Sequence, residues 1–405
     1  MWRCHRLYSC AAFASVLVGA LAWLSLRGCE ISTIRHDRNS LRGLPYAGTT
    51  SFNGDRRQGV TRHIPERVAD GINVYTCTYE LGAKFLDLEG KIVAELQDLR
   101  TFHDPDEGWE LVQPYLDDGF LVLIEDRALF RIDSQCRVLW ELRDRFHHDM
   151  AVTEQGEIYA LRNRVVAESR LFPQRVLDNL LVRLSATGET LSETSLLDLC
   201  LKHETIRRAI ETERVKEFTY GPDAWDLLHT NTIAYFDEDV LVDGQVVFQQ
   251  GQILVCMRHL DLIAVIDSSL DRIVWHWGLG ELDNPHHPSI LSDGHLLVFD
   301  NGTRRGYSRV LELDPVSGSI AGIIATDGSK PFFTATRGSA QRLPNGNTLI
   351  VEGERGRTFE LTPQGEMVWE FFSFASRTNP DERELLYRMP RWTDPKLVAR
   401  IRGGR

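Results

Sequence analysis

One turn recurs six times, and it constrains this chain more than any other feature. It first reads Asp87-Leu88-Glu89-Gly90-Lys91-Ile92-Val93, and returns as Asp133-Ser134-Gln135-Cys136-Arg137-Val138-Leu139-Trp140. A fainter copy is Ser185-Ala186-Thr187-Gly188-Glu189, followed by Asp267-Ser268-Ser269-Leu270-Asp271-Arg272-Ile273-Val274-Trp275. The last two are Asp314-Pro315-Val316-Ser317-Gly318-Ser319-Ile320 and Thr362-Pro363-Gln364-Gly365-Glu366-Met367-Val368-Trp369. The strands ahead of them match as well: GEIYAL, GQILVCM, GHLLVFD and GNTLIVE each set a Gly before an apolar strand. A short turn between two such strands makes a hairpin, and hairpins repeated around an axis make propeller blades. A β-sandwich has no need of one turn six times over. The expectation is an all-β chain, a six-bladed β-propeller over residues 73–378, in which the Trp at a strand end wedges between neighbouring blades.

Three stretches depart from the repeat. Residues 195–215 (SLLDLCLKHETIRRAIETERV) place apolar residues at helical spacing with charges between, a short helical insertion on one face. Residues 379–405 are polar and Arg-rich, a C-terminal extension that packs across the propeller or wraps its rim. At the other end, Arg3 and Arg6 precede an apolar run over 7–26, long enough to span a bilayer. A cleaved signal has a shorter apolar core and a small-residue cleavage site. Residues 1–30 therefore read as an uncleaved signal anchor, an N-terminal transmembrane helix. A removed or lipidated signal and a buried core helix are the alternatives. Residues 31–72 form a polar spacer and the first strand region. With its positive flank held in the cytoplasm, the anchor puts the propeller on the periplasmic or extracellular side of the inner (plasma) membrane, as a single-pass protein.

Composition narrows the partners. Of 405 residues, 42% are hydrophobic and 26% charged, enough for a sizeable core. The net charge is −12 and no basic stripe is visible, which argues against nucleic acid. Any anion site must be assembled locally from a few Arg, His and backbone donors. Beyond the three cysteines near the N-terminal run, Cys77, Cys136, Cys200 and Cys256 are scattered, with no CxxC and no metal-type spacing. A disulfide among them stays open outside the cytoplasm. No metal and no cofactor are called for.

Histidines gather at strand starts, beside the inter-blade turns: Phe146-His147-His148-Asp149, Leu228-His229-Thr230-Asn231-Thr232, Met257-Arg258-His259 and Pro285-His286-His287-Pro288. Singly, each has a plain explanation: an Asp-capped turn at His147–Asp149, an Asx-type turn at Asn231, a surface ion pair at Arg258. Together they fall in successive repeats at one phase. In a propeller, equal phase means equal height, so these side chains converge on the mouth of the central channel.

The segments DLLHTNTI, GQILVCMRHLDLIAVID, PHHPSILSDGHLLVFDNG and GSAQRLPNGNTLIVEGERGRTFELTPQGEMVWEF, over 226–371, resemble the arylsulfotransferase family of bacterial arylsulfate sulfotransferases, which use no nucleotide sulfate donor. HHDMAVTEQGEIYAL is similar to that family's earlier His-containing turn. The resemblance implies a six-bladed propeller and ping-pong transfer: a histidine takes the sulfuryl group from an aryl sulfate and passes it to an acceptor phenol. By motif position the nucleophile is His286 rather than His287. Arg258 takes the strand-borne Arg position and grips sulfuryl oxygens. His229 and Asn231 match the HxN pair, donating to the same oxygens or protonating the leaving phenolate. His148, or its neighbour His147, takes the remaining binding position. Thr334 and Thr336 lie where the family has further polar contacts. The family's short-loop disulfide has no counterpart here, Ser289 replaces an often larger residue, and residues 31–72 are too short and polar for the N-terminal β domain through which soluble members dimerise. The oligomeric state is left open. Two other readings compete: a non-catalytic, membrane-tethered binding or scaffold propeller, and a quinone-dependent dehydrogenase, whose turns are similar but whose adjacent cysteines are absent.

Overall fold

The computed structural model describes residues 49–52, 54–76, 82–96, 111–116, 118–166, 175–211, 219–220, 224–376 and 379–403. The membrane segment expected at 7–26 lies outside the described residues, and within them no helix is long and apolar enough to cross a membrane.

The six turns each close a hairpin, and the hairpins build six blades. Blade 2 shows the plan: Leu111–Pro114, Phe120–Ile124, Ala128–Ile132 and Val138–Arg143 pair antiparallel in chain order. The middle strand FLVLI is buried throughout, whereas the outermost, VLWELR, is mostly half-buried or exposed. That gradient follows from position, since middle strands are packed on both faces and outer strands on one. Blades 4 and 5 repeat the plan from Thr230–Tyr235 to Ile273–Trp277 and from Pro285–Ile290 to Ile320–Ile324. In blade 4 an extra hairpin, Val240–Val242 with Gln245–Phe248, stands between the first two strands. Blade 3 begins at Phe146–Val152 and acquires a parallel neighbour, Ala224–Asp226, beside its third strand.

The ring is closed twice. Strand Gly59–His63 adds a fifth strand to blade 6 at the outer edge of Met367–Phe372. Blade 1 takes Ile72–Tyr75, Ala83–Leu86 and Ile92–Leu96 from the N-terminal side, and Arg391–Trp392 from the C-terminal end pairs with Ile72–Asn73 as its first strand. The Arg-rich extension thus supplies a blade strand. Arg391 is buried there, bonded to Glu360, Asn73 Oδ1 (2.9 Å) and the Ala69 carbonyl (3.1 Å).

Neighbouring blades are stapled by the tryptophans. Trp140 Nε1 donates to the Ala186 carbonyl (2.9 Å), Trp275 to Pro315 (3.1 Å) and Trp369 to Leu88 (2.8 Å). Each acceptor lies in the repeated turn of the following blade. Two short helices occupy part of the 195–215 segment. α1 (Leu196–Lys202) is capped by Ser195, whose hydroxyl accepts from Asp198 N, and α2 (Glu204–Ile210) follows at once. Leu196, Leu197, Leu199 and Ile206 pack into the core shared by blades 3 and 4. α3 (Pro395–Arg402), capped by Asp394, buries Val398 and Ile401 against blades 1 and 2.

Candidate active site

Thr153, Phe236 and Leu291 occupy one structural position, each donating its backbone N–H to the residue that opens the next strand: Glu157, Gln252 and His295. Five residues before each stand His148, Asn231 and His286. By pairing register His147, Thr232 and His286 lie level, opposite Leu161, Cys256 and Phe299; His148 and Asn231 fall in the bulges beside that level, and His229 directly precedes the first strand of blade 4. At this height each strand is bulged, with register shifts between His147 and Met150, Thr230 and Thr232, and His286 and Ser289. His148, His229 and His287 adopt φ of 55°, 48° and 48°. Left-handed backbone is rare for residues with a Cβ and gathers with bulges at functional sites, where it re-aims side chains.

His286 is oriented by the FDNG turn. Asn301 Nδ2 donates to the Thr334 and Arg337 carbonyls (2.8 and 2.7 Å), which fixes its Oδ1 as an acceptor. That oxygen lies 2.7 Å from His286 Nδ1, so Nδ1 carries the proton and Nε2 holds the lone pair. Burial, and after it the charge of Arg258, push the His286 pKa well below the ordinary imidazole value. The ring is therefore neutral at pH 7, with a fixed tautomer.

Asp226 performs a similar task for His229. Its carboxylate accepts from His229 N (3.0 Å) and Nδ1 (2.5 Å), leaving Nε2 of that ring as the lone-pair nitrogen. Burial alone raises the Asp226 pKa, but His229 and His259 more than offset it and hold the carboxyl below its ordinary range. For His229 burial outweighs Asp226, so its pKa lies below the ordinary value. The His148 ring meets His229 edge-on at 4.9 Å between centroids, and Tyr387 at 5.7 Å.

Arg258 lies in a 3-10 turn directly after the second strand of blade 4 and is buried. Among the described residues no carboxylate pairs with it. Its Nε has no partner, and Nη2 makes only a long 3.5 Å contact with the Ala335 carbonyl. A buried cation without a counter-ion is costly by several kcal/mol, and an anion from outside relieves that cost. Asn231, also buried, ties its strand to the neighbouring one through Nδ2 to the Pro285 carbonyl (2.9 Å), with Oδ1 accepting from Thr232 (3.0 Å). One N–H of the amide has no bond among the described residues.

His148, Asn231 and His286 thus stand on the first strands of blades 3, 4 and 5, His229 directly before the first strand of blade 4 and Arg258 directly after its second. His287 turns elsewhere: its Nδ1 meets the Ala340 carbonyl (3.0 Å) and burial lowers its pKa to about 3. Thr334 and Thr336 direct their hydroxyl protons to the Thr336 carbonyl and to Glu354 (2.7 and 2.8 Å). Asp226 and Asn301 are the orienting residues that the sequence reading passed over. The only signal for Asn301 was its place in FDNG. For Asp226 it was a carboxylate three residues before a histidine, a spacing too common to single out. Arg388, from the C-terminal segment, forks onto Asp149 (2.9 and 3.1 Å) and reaches the Asn231 carbonyl (3.0 Å), bracing the site from behind. Cys200 and Cys256 are buried free thiols. A recess of about 270 Å³ on the outside, lined by Phe52, Asp55, Arg355 and Arg383 among others, includes none of these histidines.

The family model for arylsulfotransferase (ASST) matches residues 129–375, the span that holds every residue of this site. The chain belongs to the arylsulfotransferase family, whose general chemistry is aryl sulfotransfer. No curated protein matches it. Among solved structures it is similar to a protein of unknown function from Bacteroides caccae, at 14% identity over 75% of this chain and 94% of that one, with a TM-score of 0.48. It is also similar to a catalytically inactive virginiamycin B lyase from Staphylococcus aureus with quinupristin, at 12% identity over 80% and 87%, TM-score 0.44.

Proposed function

We propose that this chain moves a sulfuryl group from an aryl sulfate to a phenolic acceptor through a sulfohistidine at His286, with no nucleotide sulfate donor. The observation that carries the reading is Arg258: a buried guanidinium lacking a carboxylate, next to a neutral imidazole with a fixed lone pair. Its planar fork suits the oxygens of a sulfate ester. Asn231 and His148 complete the grip on those oxygens, where charge develops during transfer.

In the first half-reaction the His286 Nε2 lone pair attacks sulfur, the N–S bond forms and the S–O(aryl) bond breaks. The phenolate departs with the bonding pair, while Asn301 keeps the remaining ring proton on Nδ1. In the second, His229 Nε2 takes the proton of the acceptor phenol as its oxygen attacks sulfur, and the N–S bond breaks to restore His286. The resulting imidazolium is stabilised by Asp226, and its proton ends on the first phenolate. Donor sulfate and acceptor phenol become donor phenol and acceptor sulfate.

The polypeptide carries this site on the outer side of the plasma membrane, tethered through residues 7–26. The support is that run's length and its basic flank. Recovery of the intact chain in the membrane fraction, resistant to carbonate extraction, is expected; a soluble chain lacking its first ~30 residues contradicts the tether.

The decisive test of the chemistry is intact mass after brief mixing with phenyl sulfate in the absence of acceptor. One added sulfuryl group, absent in His286→Ala, is expected. If neither adduct nor released phenol appears with several donors, the chemistry is wrong and a binding propeller remains. Full activity in His286→Ala sinks the nucleophile assignment.

A further inference from the structure

Beside the proposed sulfuryl site, three side chains meet with three ligand-type atoms within 4.8 Å of one another, an arrangement that protonation serves only by sharing one proton between two contacts. His147 Nδ1 and His148 Nδ1 are 2.9 Å apart, and His148 Nδ1 is 3.1 Å from Glu125 Oε1. When His148 Nδ1 bears a proton and gives it to Glu125, it has no lone pair for His147. When it instead accepts from His147, its lone pair faces a carboxylate oxygen. At best a single proton on His148 Nδ1 is shared between Glu125 and the Nδ1 lone pair of His147; the other assignment sets a lone pair against a carboxylate oxygen. A single cation held by all three atoms serves both contacts.

We propose that Glu125, His147 and His148 form a binding site for a divalent zinc-class metal ion. Ligands on tetrahedral zinc, with bonds of about 2.0–2.1 Å, stand roughly 3.3 Å from one another; two of the pairs here are 2.9 and 3.1 Å apart, and all three atoms lie within 4.8 Å. Two imidazoles and a carboxylate are a zinc-type donor set, and three protein ligands leave a fourth position for water. Access is provided: the Glu125 side chain is 36% exposed and that of His148 13%, whereas His147 is buried. His147 Nε2 has no partner among the described residues, so the ring's polar engagement is confined to the nitrogen facing this triad. The backbone holds the arrangement in place. His148 N donates to Glu125 Oε2 (2.8 Å), tying the carboxylate of blade 2 to the bulge of blade 3. A second group, Asp226, His229 and His259, also has its ligand atoms within 4.8 Å of one another. There, however, the carboxylate accepts from the His229 ring N–H and the Asp226 carbonyl accepts from His259, so protonation already satisfies the contacts. The sequence concealed the first triad because its carboxylate lies on another blade, 22 residues before His147.

Glu125 and His147 take no part in the proposed sulfuryl transfer, so their variants test the metal site apart from that reaction; His148 is common to both. Calorimetric titration of the metal-stripped full chain with zinc chloride is expected to show one site. Cobalt(II) in its place should give the visible bands of a tetrahedral ion. Glu125→Gln and His147→Gln should each weaken zinc binding by at least about 10-fold, while His286→Ala binds zinc like the unaltered chain. Zinc should also raise the melting temperature of the unaltered chain, a readout that needs no variant. In crystals soaked with zinc, an anomalous peak is expected between the two Nδ1 atoms and Glu125 Oε1. No binding by the unaltered chain overturns the proposal. So does binding that survives both substitutions, or a peak at the Asp226 group instead.

Discussion

At the scale of single residues, the site is governed by which nitrogen of each histidine carries the proton. Asn301 keeps the proton of His286 on Nδ1, and its own orientation is locked by two backbone carbonyls. Replacing it by Asp preserves the acceptor but adds a negative charge, which opposes the effects of burial and Arg258 on the ring. In the unaltered chain the depressed pKa of His286 keeps the nucleophile neutral as the pH falls below 6.5, so the acid limb of kcat/KM for donor cleavage should lie below that value. In Asn301→Asp the limb should move to higher pH; an unchanged pH profile removes Asn301 from any electrical contact with the nucleophile. Asp226 acts in the other half-reaction. Asp226→Asn leaves His229 without the carboxylate that stabilises its protonated form, so transfer to the phenol should slow by about 10²-fold. Release of the first phenol should persist as a burst, because that step uses His286. Stopped-flow measurement of phenol release separates the two, and equal slowing of both phases contradicts the assignment.

At the scale of the repeated element, the turn makes a chemical demand that explains its sequence. Each of the six copies has one residue of positive φ, at the fourth position in five of them and at the fifth in Asp314–Gly318: Gly90, Cys136, Gly188, Leu270, Gly318 and Gly365 lie between 59° and 82°. Four copies satisfy this with glycine; Cys136 and Leu270 carry a Cβ in left-handed backbone, at a cost of about 1–2 kcal/mol. Cys136→Gly removes that strain, offset in part by the larger entropy glycine loses on folding. A net gain of about 0.5–1 kcal/mol should appear in urea titrations, and a loss would show that the thiol's packing outweighs the strain. The staples can be tested in the same way. Trp369→Phe keeps an aromatic ring in the core and leaves the Leu88 carbonyl without its donor, which should cost about 1–3 kcal/mol. These elements were legible because turn and staple recur: six copies of a local rule outweigh the noise in any one copy. The repeat brings the site residues to one end of their strands but does not show their register: His286 is level with His147 and Thr232, while His148 and Asn231 fall in bulges that no count along the repeat reveals. His229 is held by Asp226 on the parallel strand that joins blade 3, a strand that belongs to no repeat. The strand Arg391–Trp392 was hidden likewise, because two residues of a polar tail show no alternation to detect.

At the scale of the whole molecule, the same burial that keeps the site histidines neutral makes the fold sensitive to acid. His259 and His286 are buried and His287 half-buried, and desolvation lowers each pKa, for His287 to about 3. In the unfolded chain these rings titrate near 6.5, so below that pH the unfolded state binds protons that the folded state refuses. Stability then rises with pH across this window and is lost as the pH falls through 6.5. Each ring contributes up to about 1.4 kcal/mol per pH unit, which is appreciable beside a typical total of about 5–15 kcal/mol. Asp178 and Asp300, whose pKa values burial raises, act in the opposite sense, but they begin nearer the carboxylate range and offset the loss only at its acid end. Closure of the ring from both termini makes the loss cooperative. The first strand of blade 1 comes from one end of the chain and the outer strand of blade 6 from the other, so a blade that opens uncouples both. Urea titrations at pH 7.5, 6.5 and 5.5 should therefore show a single transition whose midpoint changes little over the first interval and falls steeply over the second. A midpoint that holds constant down to pH 5.5 would mean that these rings accept protons in the folded state, and with that the neutral nucleophile at His286 would lose its physical basis.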